Sequence, residues 1–295
     1  MPNKKKIVVT GGAGFVGTNL IKLLLKKTTY KIISIDNYSS GKKINHIKNS
    51  RVKYVKGKTS DVYKLIKNPK EVKTLFHFGE FARIYQSFLK TNECIESNSI
   101  GSNSIFNFCL KNKIKLIYSA TSASLGNQGN DKNLSPYAFT KSKNLELLEN
   151  LKKWFNFKYE VIYFYNVYGP NQICTGPMST VIGIFEDCYK RGRPLPVVKP
   201  GSQTRRFTHI DDTVYVCYLA WKKNLCRHYS IANKKSYSIL DVAKMFKSKI
   251  KFLSKRPGER YASALINQNL SNKMYKHFGK INLENYIKEF ILNSS

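Results

Sequence analysis

The stretch that decides the fold is residues 7–17, IVVTGGAGFVG, in which a short apolar run leads into a cluster of glycines. Gly11, Gly14 and Gly17 fit the spacing G-x-x-G-x-x-G, and Gly12 with the last two also fits G-x-G-x-x-G. Glycine allows a tight turn and a close approach of the backbone to a pyrophosphate. The N-terminus of the following helix offers N–H groups to the phosphates. The stretch therefore predicts a dinucleotide site.

A carboxylate stands where the ribose of a dinucleotide needs one. Asp36 ends a second apolar run, near the expected spacing of about 20 residues from the glycines. A carboxylate there accepts the ribose hydroxyls and repels a 2′-phosphate, so the predicted cofactor is NAD. A glycine-rich turn without a ligand is the alternative, and the coincidence of strand, glycines, helix and acid argues against it. The residues predicted to bind the cofactor here are Gly11, Gly14, Phe15, Val16, Gly17, Asp36 and Asn37.

Apolar runs alternate with helical patterns along the first half of the chain, which predicts an α/β fold with a doubly wound parallel sheet. The predicted strands are residues 7–10, 31–36, 52–55, 74–78, 116–119 and 161–165, and the main predicted helices are residues 15–27, 98–111 and 137–155. After Asn166 the pattern becomes irregular. We expect a Rossmann domain over residues 1–166, to which part of 205–232 returns, and a smaller interleaved substrate lobe from residues 167–204 and 233–295.

Composition narrows the class of protein. No segment approaches the roughly 20 apolar residues that span a bilayer, and the N-terminal residues lack the apolar stretch of a secretory signal. The six cysteines form no C-x-x-C pair, which disfavours zinc and predicts free thiols in a reducing, cytoplasmic setting. The net charge of +33 is spread along the whole chain. It indicates a lysine-rich surface that attracts anions, although nucleic-acid binding stays an alternative.

A tyrosine and a lysine stand four residues apart in the long predicted helix. Tyr137 and Lys141 share one helix face, and an ammonium near a phenol favours the phenolate. The phenol could therefore act as a base. Ser135 and Pro136 fit the start of the helix as cap and first-turn residue. Two surface residues are the default for such a spacing, so its weight comes from its place after the fifth strand.

These features together resemble the extended short-chain dehydrogenase/reductase family, and within it the NAD-dependent nucleotide-sugar epimerases such as the UDP-glucose 4-epimerases. The resemblance covers nearly the whole chain. Besides the glycines, Asp36 and the Tyr137/Lys141 pair, it rests on residues 76–78 (FHF), Asn98 with Gly101, residues 164–166 (FYN), residues 203–208 (QTRRFT) and residues 256–259 (RPGE).

The resemblance implies a role for each matching position. It implies that Thr121 is the hydroxyl partner of the catalytic tyrosine, with Ser122 as a less suitable candidate. It also implies that the chain is a homodimer paired through the helices at residues 98–111 and 137–155. The implied cofactor contacts add Phe78, Gly79, Asn98, Tyr137 and Lys141, and the implied substrate contacts are Thr121, Asn166, Arg205, Arg256 and Ser263.

The chain departs from the family pattern at several positions. An acid that contacts adenine is usual where Lys58 stands, so adenine binding would rely on the backbone or on Asp61. Small residues are usual near Glu80, which either adds a polar contact to the site or points to solvent. Arg206 replaces a frequent acid. The loop at residues 126–134 looks shorter than usual.

The residues after Thr121 bear on the reaction. Dehydratases of the family carry Asp-Glu there, whereas this chain has Ser122 and Ala123, which cannot supply a second acid and base. C4 epimerisation of a UDP-hexose or UDP-N-acetylhexosamine, through a 4-keto intermediate, needs only Thr121, Tyr137, Lys141 and NAD. A keto-sugar reductase and a decarboxylase remain alternatives, and a non-catalytic nucleic-acid-binding protein is a more distant one.

Overall fold

The computed structural model describes residues 6–125, 133–258, 274–276 and 279–294. Its centre is an eight-stranded sheet in the order β13-β10-β6-β5-β4-β1-β2-β3, in which every pair of neighbours is parallel. The strands of this sheet are β1 (Lys6–Thr10), β2 (Lys31–Asp36), β3 (Val52–Lys56), β4 (Val72–His77), β5 (Lys115–Thr121), β6 (Tyr159–Phe164), β10 (His228–Ser230) and β13 (Met274–Lys276).

Helices cover both faces of this sheet, as a parallel sheet requires. The α-helices are α1 (Phe15–Lys27), α2 (Val62–Leu65), α3 (Ile84–Leu89), α4 (Thr91–Ile95), α5 (Ser102–Lys111), α6 (Pro136–Phe155), α7 (Val181–Lys190), α8 (Ile210–Lys223), α9 (Ile239–Met245) and α10 (Leu283–Leu292). Apolar residues of α1 and α8 form the core on one face, and those of α5 and α6 form the core on the other. The predicted doubly wound fold is confirmed.

Predicted and observed elements differ mainly at their ends. The helix predicted from residue 98 begins as a wide, π-type turn at Glu96–Gly101 and becomes α-helical at Ser102. Within that turn the Asn98 carbonyl accepts a hydrogen bond of 2.7 Å from the Asn144 amide of α6. The wide turn therefore coincides with a contact between two helices, and the periodicity of the sequence does not predict such a contact.

A smaller lobe has its own core. Strands β7 (Asn166–Tyr168), β9 (Thr204–His209) and β11 (Ser236–Ser238) form one sheet, while β8 (Leu195–Val198) pairs with β12 (Ile250–Leu253). Their apolar side chains pack with α7, α9 and α10. The predicted division into lobes remains a proposal, because β13 lies in the segment assigned to the smaller lobe yet pairs with β10 in the main sheet.

Within the described ranges, no helix is both long enough and apolar enough to cross a bilayer. The same ranges hold no group of three or more histidine, cysteine or carboxylate side chains placed to bind a metal ion.

Candidate active site

The glycine loop is built so closely that side chains are excluded at two positions. A Cβ on Gly17 would lie 2.2 Å from the Gly11 carbonyl oxygen, and one on Gly11 would lie 2.9 Å from the Gly79 nitrogen. Gly11 also has a φ of +68°, a region that glycine adopts without strain. Gly14 caps α1 without a side chain. The loop thus leaves backbone N–H groups at the start of α1 open to an anion.

Asp36 lies beside this loop at the carboxyl end of β2. Its carboxylate accepts hydrogen bonds from the Ala13 nitrogen at 2.9 Å and from the Tyr38 nitrogen at 2.8 Å. Burial raises its pKa above the ordinary value, and the two backbone donors partly offset this effect. Each carboxylate oxygen can accept a further bond. The cradle of Gly11, Gly14 and Gly17 with Asp36 therefore fits a dinucleotide.

We expect the protein to bind NAD more tightly than NADP, because a 2′-phosphate would meet the buried Asp36 carboxylate. Titration of the purified chain with each oxidised cofactor provides the measurement. The Asp36→Ser variant should reduce the difference between the two affinities by removing the repulsion. Asp211→Ser, at an exposed aspartate in the first turn of α8, is the control and should leave both affinities unchanged. A parent protein that binds NADP more tightly contradicts this assignment.

The N-terminal turn of α6 places the predicted catalytic tyrosine. The Ser135 hydroxyl accepts a hydrogen bond of 3.1 Å from the Ala138 nitrogen, as predicted for a cap, and Pro136 occupies the first turn. The Tyr137 nitrogen is bonded at 3.2 Å to the Ser87 hydroxyl of α3. Tyr137 is buried and packs with Ala123 after β5. Two elements therefore fix the backbone that carries the phenol.

Lys141 lies one turn further along α6, and its ammonium is enclosed. It donates to the Ser119 carbonyl of β5 at 2.5 Å and lies 4.8 Å from the centre of the Tyr118 ring. It also forms an ion pair with Glu80, in which the lysine side chain is 4% exposed and the glutamate side chain 2%. Glu80 therefore makes a polar contact inside the site and does not point to solvent.

The Glu80 carboxylate is the centre of a network of hydrogen bonds. Besides Lys141, it accepts from the hydroxyls of Ser102 at 2.7 Å and Tyr118 at 3.1 Å, and from the Asn144 amide at 3.2 Å. Burial, followed by the nearby Glu80, raises the pKa of Tyr118 well above its ordinary value. The phenol of Tyr118 therefore remains a donor to the carboxylate.

His77, at the end of β4, continues the network toward the glycine loop. Its Nδ1 lies 2.8 Å from the Thr10 hydroxyl, and its Nε2 lies 2.9 Å from the Ser102 hydroxyl. Burial lowers its pKa to about 4, so the ring is neutral at physiological pH. Because Ser102 donates to Glu80, the hydrogen-bond pattern assigns the ring proton to Nε2.

Thr121 ends β5, in register with Phe164 of β6. Its hydroxyl accepts from the Ala123 nitrogen at 3.1 Å, and its carbonyl accepts from the Ser124 hydroxyl at 2.7 Å. The structure thus brings Thr121, Tyr137 and Lys141 to one end of the sheet, at the carboxyl ends of the strands where doubly wound folds bind their ligands.

The other predicted cofactor residues surround this end of the sheet. Phe78 and Gly79 both donate their backbone N–H to the Thr10 hydroxyl, at 3.1 and 2.9 Å. Asn98 is fully buried. Its amide oxygen accepts from the Phe81 nitrogen at 2.6 Å, and its amide nitrogen donates to the Phe81 carbonyl at 3.0 Å. Asn98 therefore fixes the loop after β4, and its contact with the cofactor stays a prediction.

Three further predicted residues lie at the edge of the loop. Phe15 is buried in the core of the first face, and Val16 is half-buried. Asn37 is exposed and accepts from the Ser39 nitrogen at 3.0 Å. Lys58 stands at the position where the family has the acid that contacts adenine. Its ammonium forms a surface ion pair with the exposed Glu96 at 2.6 Å.

The predicted substrate residues approach from the smaller lobe. The Asn166 amide donates to the Arg206 carbonyl at 3.2 Å, which joins β7 to β9. Arg205 is buried on β9, and Arg256 lies 5.0 Å from the centre of the Tyr85 ring. Arg206 donates to the backbone carbonyls of residues 233 and 234. Ser263 lies outside the described residues.

The structure reveals one cation that sequence reasoning missed. Arg83 follows β4 and donates to the carbonyls of Met178 at 2.5 Å and Ser179 at 3.2 Å. Burial lowers the pKa of its guanidinium. The Arg83 carbonyl accepts a hydrogen bond of 3.1 Å from the nitrogen of Ser87, the residue whose hydroxyl bonds to the Tyr137 nitrogen, so Arg83 lies one helix turn from a direct neighbour of Tyr137. Its position six residues after His77, close to the family motif, was the available signal.

Comparison with known proteins supports this description. The model of the NAD dependent epimerase/dehydratase family matches residues 7–232. The chain therefore belongs to this family, whose cofactor is NAD. The family consists of epimerases and dehydratases of nucleotide-linked sugars.

Individual relatives are distant but cover most of the chain. It is 28% identical over 266 residues to an ADP-L-glycero-D-manno-heptose-6-epimerase of Brachyspira hyodysenteriae, covering 84% of this chain and 82% of that protein. It is 26% identical over 260 residues to a putative UDP-glucose 4-epimerase of Methanocaldococcus jannaschii, covering 83% of each. The crystal structure of UDP-glucose 4-epimerase from Thermotoga maritima with UDP-glucose has a TM-score of 0.82, with 24% identity and 97% of each chain covered. This last likeness concerns the fold.

Proposed function

We propose that the protein is a C4 epimerase of a nucleotide-diphosphate sugar, with a UDP-hexose or UDP-N-acetylhexosamine as substrate. The observation that carries the proposal is the neighbourhood of Tyr137. Ala123 belongs to the same buried apolar cluster as this tyrosine. Ser122 precedes Ala123 in the chain, so neither position offers the additional acid and base that a dehydration would require. The described site therefore supplies one proton-transfer group, and epimerisation requires only one.

The residues of the chain have simple roles in such a reaction. Tyr137 removes the proton from the sugar 4-hydroxyl and later returns it to the same oxygen. Thr121 binds that oxygen, and Lys141 stabilises the phenolate. NAD, held by the glycine loop and Asp36, supplies reversible hydride transfer at C4. Arg205, Arg256 and Asn166 bind the diphosphate, because planar guanidinium groups match phosphate oxygens.

The first experiment needs no added cofactor, because an epimerase regenerates its own. The protein as purified is incubated separately with UDP-glucose, UDP-N-acetylglucosamine and UDP-glucuronate, and the products are examined for C4 epimers. We expect conversion of at least one substrate to an equilibrium mixture. If no epimer forms, but a UDP-4-keto sugar supplied as substrate is reduced with the consumption of one NADH per molecule, the protein is instead a keto-sugar reductase.

A second candidate is a reaction on a sugar acid, including decarboxylation. The observation in its favour is Arg83, a half-buried cation whose hydrogen bonds in the described structure go to backbone carbonyls and whose own carbonyl bonds to Ser87, the neighbour of Tyr137. A guanidinium in that place could bind a C6 carboxylate. Turnover of UDP-glucuronate alone, with release of carbon dioxide, would favour this candidate over epimerisation.

We also predict a homodimer paired through the helices at residues 98–111 and 137–155. Ile100 and Phe139 lie on these stretches and are 55% and 44% exposed, respectively, although their neighbours form the core. Light scattering at micromolar concentration should give twice the chain mass. Phe139→Lys should weaken the pairing, whereas Ile44→Lys, at a residue that is 88% exposed and lies outside both helices, is the control. A parent protein with the mass of one chain contradicts the prediction.

A fourth prediction concerns the size of the sugar. The resemblance implies that the residue seven positions after Arg256, which is Ser263, lines the sugar pocket, and a small residue there leaves room for an N-acetyl group. We therefore expect both plain and 2-acetamido sugar nucleotides to be accepted. Ser263→Tyr should weaken binding of the acetamido substrate by about 1–3 kcal/mol, the usual cost of steric misfit, with less effect on a plain hexose.

The neighbouring variant Ala264→Tyr is the control for a general disturbance of this segment, and the two substrates are compared by their binding constants. If Ser263→Tyr leaves the ratio of the two constants unchanged, another residue limits the pocket.

A further inference from the structure

We propose that Glu80 is a positioning residue that acts as the buried counter-ion of Lys141, and that by neutralising this ammonium it favours the oxidised form of the bound nicotinamide. The proposal rests on the proposed function in one respect: an epimerase must begin each turnover with an oxidised cofactor, because the sugar is oxidised first.

The geometry of the pair shows that it is part of the site and not of the surface. Both side chains are almost completely buried. Lys141 is additionally held by the Ser119 carbonyl, and Glu80 by the three neutral donors Ser102, Tyr118 and Asn144. Hydrogen bonds to a carboxylate favour its charged form. The carboxylate is thus held in place by three donors besides the lysine.

The net charge of this network follows from its members. His77 is neutral, because burial lowers its pKa to about 4, and Tyr118 keeps its proton, because burial and Glu80 raise its pKa well above the ordinary value. Ser102 and Asn144 do not ionise. The charges that remain are those of Lys141 and Glu80, and they cancel.

The pair lies next to the cofactor cradle. Glu80 directly follows Gly79, whose backbone packs so closely on Gly11 that an added Cβ would come within 2.9 Å of the Gly11 nitrogen. Lys141 is on the helix turn that follows Tyr137. In doubly wound folds the dinucleotide crosses this end of the sheet. A change in the charge of the pair therefore changes the electrostatic potential at the bound cofactor.

The sign of the effect is set by the charge of the ring. The nicotinamide of NAD⁺ is positively charged, whereas that of NADH is neutral. An uncompensated ammonium would weaken NAD⁺ binding and leave NADH binding less affected, which shifts the cofactor toward its reduced form. A neutral pair removes this bias, so the Glu80 carboxylate keeps the resting cofactor oxidised.

The test uses the full-length protein and measures the dissociation constants of NAD⁺ and NADH after exchange of any bound nucleotide. In Glu80→Gln the ratio Kd(NAD⁺)/Kd(NADH) should rise about tenfold over the parent, the order expected for one charge at moderate distance in a partly screened site. Lys141→Met should move the ratio in the opposite direction. Contacts that both cofactor forms share cancel in this ratio.

Glu160→Gln is a matched control. Glu160 is also a fully buried glutamate paired with a lysine, Lys115 at 2.8 Å, but the pair lies at the beginning of β5 and close to the beginning of β6, away from the catalytic end. Loss of either glutamate leaves a lysine without its partner and should lower thermal stability. Only the loss at Glu80 should change the cofactor ratio.

A ratio in Glu80→Gln within twofold of both the parent and Glu160→Gln overturns the proposal. If Glu80→Gln does not fold, Lys141→Met provides the test. An unchanged or increased ratio Kd(NAD⁺)/Kd(NADH) in that variant also overturns the proposal. Because no sugar is present, the result is independent of the reaction. If the ratio changes in Glu80→Gln but the parent protein forms no C4 epimer, this inference stands and the proposed function is wrong.

Discussion

Tyr137→Phe is expected to lower turnover by about 10²–10⁴-fold, the usual contribution of a positioned acid or base, while NAD still binds. Only the phenol oxygen is removed, and the ring remains in the buried apolar cluster that includes Ala123. The hydrogen bond that its backbone nitrogen donates to the Ser87 hydroxyl also remains. The fold and the glycine loop should therefore be unaffected, and the loss should appear in kcat.

Steady-state kinetics on the accepted sugar nucleotide, together with NAD titration, measure both parts of this expectation. Tyr63→Phe is the matched control, since Tyr63 is 47% exposed on α2, and it should retain normal turnover. A Tyr137→Phe enzyme with near-parental kcat would remove the phenol from the mechanism.

Gly17→Ala should abolish measurable NAD binding, with an affinity loss of at least about 100-fold. The added methyl group would lie 2.2 Å from the Gly11 carbonyl oxygen and 2.7 Å from the Gly12 Cα, and both contacts are with backbone. The loop must move, and the phosphate cradle moves with it. Alanine is intrinsically better than glycine inside a helix by about 1 kcal/mol, so helix propensity cannot explain a loss.

Isothermal titration with NAD measures the affinity, and circular dichroism verifies that the variant is folded. Gly192→Ala is the control: its φ is +62°, but nothing lies within 4 Å of the new methyl group. Backbone strain should make that variant slightly less stable without changing its NAD affinity. Equal NAD affinity in Gly17→Ala and the parent would show that the close contact is not needed for the cradle.

The parts of the structure that depend on local patterns are predicted well from sequence. The strand of residues 31–36 and the helix of residues 15–27 have the predicted bounds, because apolar periodicity and glycine spacing report local structure directly. Ser135 caps α6 as expected. The four-residue spacing of Tyr137 and Lys141 predicts one shared helix face, and the family resemblance adds their catalytic roles.

The features that sequence did not predict depend on contacts between distant segments. Glu80 and Lys141 are 61 residues apart, and no local pattern shows that a glutamate after β4 will be buried. The position of Arg83 depends on carbonyls near residue 179, almost a hundred residues away. Asn98 likewise fixes the loop after β4 through hydrogen bonds of its amide to the Phe81 backbone, a contact between residues 17 positions apart.

The central claim is that C4 of the sugar is oxidised and reduced within one active site, and an isotopic measurement tests it most directly. The accepted sugar nucleotide is prepared with deuterium at C4 and converted in ordinary water without added cofactor. The C4-epimeric product should retain the deuterium at C4, because the same hydride leaves and returns. Loss of the label to water, or its appearance in added free cofactor, would contradict the account.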